Sequence, residues 1–266
     1  MRYTTMFINT LKKVGLSIGL AALMIATTWA SGIRAQETQS LGESPGFDVE
    51  FTDCVESIGV TLVPTTSARA YVPQSFILAG EGQPFTPLVV RTAHCQRIET
   101  AGQGSRSGDI VQIGAVIVPP DFTGHINNYT IWYYTSDLRL AFQLRAAGVG
   151  AQYVPTIDYH YDSGDNLLNV RVPLPALPRL VVSGTVAPSS QPAGSFVANW
   201  WQSTDHGRTK MSTTVPVINI GSADLILTTN SIGQLGQLIG ASSTGFPIIQ
   251  QFNTFGSAQM QVAVVP

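Results

Sequence analysis

Short runs in which apolar side chains alternate with polar ones, or in which Val, Ile, Thr and aromatic residues dominate, recur along most of this chain between turns rich in Gly, Pro, Asn and Asp. They cover 70–78, 87–98, 110–118, 128–135, 151–161, 166–172, 179–187, 195–203, 208–220, 223–229 and 247–264. A period of two with branched and aromatic residues is the pattern of a strand, because successive side chains point to opposite faces. So many strands in one segment call for a barrel or a sandwich. Helical spacing is confined to two places. Over 137–147, Leu140, Leu144 and Ala147 recur on one face, Ser136 is placed to cap the start and Gly148 to close the end. A shorter helix over 231–239 is weakened by Gly233 and Gly236. The reading is a mainly β (α+β) domain with one packed helix and a short second one.

No repeat of 20–50 residues is visible and no linker divides the chain, since the Pro-rich stretch 173–178 is short enough for a loop. The domain spans 47–266. Before it, Arg2, Lys12 and Lys13 give a positive start, 14–26 is an apolar run, and Ala30, Gly32 and Ala35 are small residues at which cleavage fits. That layout predicts a signal peptide over 1–35, followed by a disordered polar lead-in over 36–46. An uncleaved anchor is the competing reading of the same run. The chain is expected to be exported, periplasmic or secreted, with no membrane span left after cleavage.

Cleavage after Ala35 would leave ten of the fourteen bases beside all sixteen acids, a balance of −6, which excludes nucleic acid as a natural partner. Charged residues make up 11% of the chain, beside 25 Gly and 16 Pro, a turn-rich β composition. The only cysteines, Cys54 and Cys95, are expected to pair in an oxidising compartment. His94 adjoins Cys95, but neighbours along a strand face opposite ways, so the two do not form a nucleophile pair.

The segment 112–159, QIGAVIVPPDFTGHINNYTIWYYTSDLRLAFQLRAAGVGAQYVPTIDY, runs strand, loop, strand, helix, glycine, strand. With AYVPQSFIL at 70–78 and the strand over 88–98, it resembles the acetoacetate decarboxylase-like superfamily. GSFVANWW and QQFNTFGSAQM resemble segments of exported bacterial proteins and carry no activity with them. The resemblance implies a β-barrel with an internal pocket. In the decarboxylase a lysine shortly after the helix-ending glycine forms a Schiff base with the keto acid, but Ala151 and Gln152 stand at that place here. The acid on the strand before the helix is replaced too, by Gln112 and Gly114. Decarboxylation by that route is therefore not expected, and whether the chain is an enzyme stays open.

Candidate residues follow from both lines of reasoning. Lys210, the one lysine after residue 13, shares a strand face with Arg208, a neighbour that would depress its pKa and suit it to Schiff-base chemistry. The alternation places it on the solvent side, however. Asp158, His160 and Asp162 fall on one face of a strand and offer metal-compatible donors, although Asp162 also begins an ordinary DSGD turn. Neither HExxH nor a nucleophile elbow is present, and Ser195 is not tied by spacing to His94, His125 or His206. For a ligand carboxylate, Arg91 and Arg145 are the candidate cations, the latter suggested by the resemblance and equally explained by the helix dipole. Gln112, Asn128 and Trp200 complete the candidate ligand-binding set, with Trp201 directed to the other face.

The functional expectation is an exported small-molecule binding protein, its pocket suited to an acidic or carbonyl ligand and with no cofactor. A lyase using Lys210 and an envelope interaction protein are the alternatives. Oligomeric state is left open.

Overall fold

The computed structural model describes residues 46–173, 179–205 and 207–265. The leader over 1–35 and nearly all of the lead-in lie outside the described residues. The strands are β1 (Phe47–Pro64), β2 (Phe85–Thr100), β3 (Ser105–Val116), β4 (Ile126–Thr135), β5 (Ala151–Tyr153), β6 (Asp158–Asp162), β7 (Leu167–Val172), β8 (Leu180–Ala187), β9 (Phe196–Thr204), β10 (Gly207–Val215), β11 (Asn219–Thr229), β12 (Ser243–Gly245) and β13 (Ile249–Val265). The helices are α1 (Thr65–Arg69), α2 (Leu138–Ala146) and α3 (Gln234–Ile239).

Seven strands close on themselves in the order β1, β2, β3, β4, β9, β10, β13 and back to β1. An odd number of strands cannot close with antiparallel pairs alone, and here β4 and β9 are the parallel pair of the ring. Between them the chain makes a long excursion through α2 and β5 to β8, as a parallel connection requires. β13 continues past the barrel and pairs with β11, from which β8, β7 and β6 extend as an outer sheet. Two cores result. One fills the barrel with Phe51, Trp200, Met211, Phe255 and Met260; the other lies between the outer sheet and the barrel wall, joining Leu168, Val182 and Leu227 to Leu88, Ile113 and Tyr134.

Helix α2 belongs to the barrel core. Leu140 and Leu144 are fully buried against it, each contributing about 2 kcal/mol relative to exposure. Its cap is Asp137, whose Oδ1 accepts from the Leu140 N–H at 2.7 Å, and not Ser136. The Ser136 hydroxyl is engaged instead with Asp109, accepting from its N–H at 2.7 Å and donating to its Oδ2 at 3.1 Å. Gly148, at φ +83°, ends the helix in a conformation that side-chain-bearing residues avoid.

Several expected strands are redrawn. The longest strand, β1, is missing from the periodicity reading. Asp53 sits at φ +52° and shifts the phase, so that Val49 and Phe51 face inward before it and Cys54 and Val60 after it. The run 70–78 is a set of turns, closed by Tyr71 N–H to Ala68 O and Phe76 N–H to Pro73 O, and only Leu78 forms a bridge, with Ile117. The runs 151–161 and 208–220 each break at a proline, Pro155 and Pro216, which has no N–H for a ladder. The halves of the first join different strands, β5 lying on β4 and β6 on β7, while those of the second, β10 and the start of β11, pair with separate stretches of β13. Cys54 and Cys95 stand directly opposite in the β1–β2 register and form the expected disulfide, with Cα atoms 4.1 Å apart. Among the described residues no helix is long and apolar enough to cross a membrane.

Candidate functional site

Inside the barrel, five neighbouring strands contribute one polar side chain each at adjoining positions. On β13, Asn253 pairs in register with Glu56 on β1; on β2, Arg91 pairs with Gln112 on β3, which in turn pairs with Tyr133 on β4. The side chains are linked as the register suggests. Arg91 Nε donates to Glu56 Oε2 at 2.5 Å and Nη1 to Gln112 Oε1 at 2.8 Å, while Asn253 Nδ2 donates to Glu56 Oε1 at 3.3 Å. A carboxylate and a guanidinium taken out of water require this kind of mutual pairing. The opposite side of the interior is apolar, with Trp200 on β9 beside Met211 on β10.

The belt is not satisfied from within. Gln112 Nε2, Tyr133 Oη and Asn253 Oδ1 have no hydrogen-bond partner, nor do Asn128 Oδ1 and Thr130 Oγ1, which face inward further along β4. Each of these residues is almost wholly buried, and a buried polar group without a partner costs about 1–3 kcal/mol. Burial raises the Tyr133 hydroxyl well above the usual tyrosine range, with Arg91 pulling it down and Asp137 pushing it up. It is therefore a neutral donor at physiological pH. Five such groups on the inner face, three of them in the belt beside the ion pair and two further along β4, are what a bound polar molecule would complete.

The candidate ligand residues divide accordingly. Arg91, Gln112, Asn128 and Trp200 come together in the barrel; Arg145 does not. It is exposed on α2, and its Nε donates to the Ala151 carbonyl at 2.5 Å, closing the turn after its own helix. Glu56, Tyr133 and Asn253 were not among the candidates. Their inward positions follow from alternation only once the Asp53 bulge and the barrel closure are known. Gly114, where the resemblance placed an acid, lies under Trp200, and a Cβ there would fall 2.7 Å from the indole edge.

Lys210 is on the outer wall. Its Nζ donates to Asp121 Oδ2 at 2.5 Å and Thr123 Oγ1 at 2.7 Å, and lies 5.3 Å from the centre of the Trp201 ring. Arg208 on the same face donates to the Ser75 carbonyl and stacks over Phe76. Trp201, outward as expected, donates to Asn127 Oδ1 at 2.8 Å. Asp158, His160 and Asp162 lie along β6, the last of them accepting from the N–H groups of Gly164 and Asp165. Among the described residues no group of three or more His, Cys, Asp or Glu could hold a metal. Ser195 and His125 are not joined either, His125 Nδ1 being held by the Val197 N–H; His206 lies outside the described residues.

One polar pair on the outer wall had no sequence signal. His94 Nδ1 lies 2.7 Å from Asp109 Oδ1, and the ring packs 5.7 Å from Tyr159 of β6. It joins the barrel to the outer sheet. A surface groove of about 620 Å³ opens at one barrel end beside Asp48, Glu50 and Glu99, remote from the belt.

Comparison with solved structures places this architecture. An acetoacetate decarboxylase matches with a TM-score of 0.55 and 12% identity, over 86% of this chain and 93% of that one. The acetoacetate decarboxylase of Legionella pneumophila matches at 0.52 and 10%, over 96% and 95%. The enduracididine biosynthesis enzyme MppR, complexed with pyruvate, matches at 0.53 and 11%, over 85% and 91%. No family model and no curated protein matches the chain. The fold is thus that of the acetoacetate decarboxylase-like superfamily, the class that the segment 112–159 resembles.

Proposed function

We propose that this chain is an exported small-molecule binding protein that holds a carbonyl-bearing ligand inside its barrel. The observation that carries the reading is the set of unpaired polar atoms on the inner face: Gln112, Tyr133 and Asn253 beside the Glu56–Arg91 pair, with Asn128 and Thr130 further along β4. Donors and acceptors on one wall with an apolar wall opposite are the makings of a selective pocket. MppR, of the same fold, has been captured with pyruvate, which agrees with a small ligand that carries a ketone. Export is supported by the leader-like layout of 1–35 and by the buried disulfide.

Binding is preferred to lyase chemistry because the interior has no amine among the described residues. Lys210, the lysine available, is on the far side of the wall and engaged by Asp121. The reading is tested by native mass spectrometry of the protein purified from its own host, with and without borohydride. A small molecule released without covalent attachment, and lost in Gln112→Leu, is the expected result. A reduced adduct on Lys210, or identical spectra for the wild type and Gln112→Leu, would overturn it.

A further inference from the structure

We infer that the interior site selects neutral carbonyl or hydroxyl compounds and turns carboxylates away, with Glu56 as the residue that sets this choice; the inference rests on the interior-site reading above. Arg91 is the cation that reaches the belt, and its guanidinium is already committed to Glu56 Oε2 and Gln112 Oε1. Glu56 is held on its other oxygen by Asn253. A second carboxylate stands nearby: Asp137, 4% exposed at the start of α2, close enough for its charge to act on Tyr133 together with that of Arg91. The backbone N–H of Leu140 stabilises it.

Glu56 therefore occupies the guanidinium of Arg91, and Asp137 adds a second negative charge within reach of Tyr133. The inward-facing neighbours Gln112, Tyr133, Asn128, Thr130, Trp200, Met211 and Asn253, on β3, β4, β9, β10 and β13, are uncharged. A ligand carboxylate would meet Glu56 and the charge of Asp137 in a buried setting, with no uncommitted inward cation among the described residues to pair with it. A ketone, amide or alcohol meets no such obstacle. Its oxygen can accept from Gln112 Nε2 and Tyr133 Oη, and its own N–H or O–H can reach Asn128, Asn253 or Thr130, the atoms left without partners.

Pyruvate and pyruvamide differ in this one respect, a carboxylate against a carboxamide of the same shape. Their affinities for the wild type and for Glu56→Gln can be compared by ligand-observed NMR, with the Trp200 indole as the protein-side reporter. Pyruvamide should bind the wild type at least about tenfold more tightly than pyruvate, and Glu56→Gln, which frees Arg91, should invert the order. Equal or tighter binding of pyruvate by the wild type would overturn the selectivity while leaving an interior site in place. Failure of both compounds to shift the Trp200 signal at millimolar concentration would overturn the interior site itself, and the selectivity with it. Should Glu56→Gln not fold, the wild-type comparison alone decides.

Discussion

Gly114 and Trp200 meet inside the barrel across two strands that are not neighbours in the ring, the six-membered ring of the indole resting where a Gly114 side chain would begin. A Cβ at that position would lie 2.7 Å from Trp200 Cζ3 and 2.4 Å from the Tyr129 carbonyl oxygen. The second contact is with backbone, which cannot rotate away. Gly114→Ala should therefore destabilise the fold by about 1–3 kcal/mol, as overpacked cores do. A urea titration followed by tryptophan fluorescence checks this, and an unchanged midpoint would count against the tight contact.

Tyr133→Phe separates the needs of the ligand from those of the fold. The hydroxyl is buried without a partner, so deleting it removes a desolvated group and should leave stability within about 1 kcal/mol of wild type, or raise it. Affinity for pyruvamide should fall about fivefold, the worth of one neutral hydrogen bond. Thermal unfolding and ligand titration of the same preparation give both numbers. A large loss of stability would mean that the hydroxyl is satisfied within the protein.

The Lys210–Asp121 pair gives a signed pH dependence. Burial raises the Asp121 pKa, but hydrogen bonds from Lys210 and from the backbone and hydroxyl of Thr123, with the charge of Lys210, lower it by more. A carboxyl whose folded pKa lies below its unfolded one stabilises the protein above the unfolded value, and that contribution is lost as pH falls through the folded one. In Asp121→Asn the stability difference from wild type should be constant near neutrality and shrink below about pH 4. Lys210→Ala should cost less than about 1 kcal/mol, since the pair is partly exposed. Loss of ligand binding in Lys210→Ala would restore that lysine to the site.

Reducing the Cys54–Cys95 bond should lower stability by about 2–4 kcal/mol, because it cross-links residues 41 apart in sequence. Both cysteines belong to the barrel core, and Cys54 lies two residues from Glu56 on the same face. Denaturation midpoints with and without reductant, with the Cys54→Ala/Cys95→Ala variant as control, measure the effect. No difference between the reduced and oxidised protein would refute it.

Much of this arrangement was legible in the chain. The barrel class, α2 and the disulfide follow from alternation, composition and one family resemblance, whereas alternation alone does not assign Arg91, Gln112, Asn128 and Trp200 to one inner face. Glu56, Tyr133 and Asn253 were missed for a definite reason. In a barrel open to solvent, alternation separates inside from outside, but here the outer sheet buries the outer wall as well. Both faces of β3 and β4 are therefore buried, and Tyr133 and Tyr134, one inward and one outward, look alike in sequence. On β1 the Asp53 bulge reverses the phase just ahead of Glu56. Arg145, which the resemblance suggested for a ligand, is exposed at the end of α2, and its Nε donates to the Ala151 carbonyl of β5.

The position of β13 has a consequence for when this protein can fold. That strand pairs with β1 at residues more than 180 positions upstream, with β10, and with β11 at the root of the outer sheet. Neither layer has a complete hydrogen-bonded edge until β13 arrives. A partly synthesised chain thus holds β1 and β10 open, and with such distant pairings the final step is slow. Until β13 closes both edges the chain keeps the pairing groups of β1 and β10 unmet, so that one strand is the latch of the whole fold.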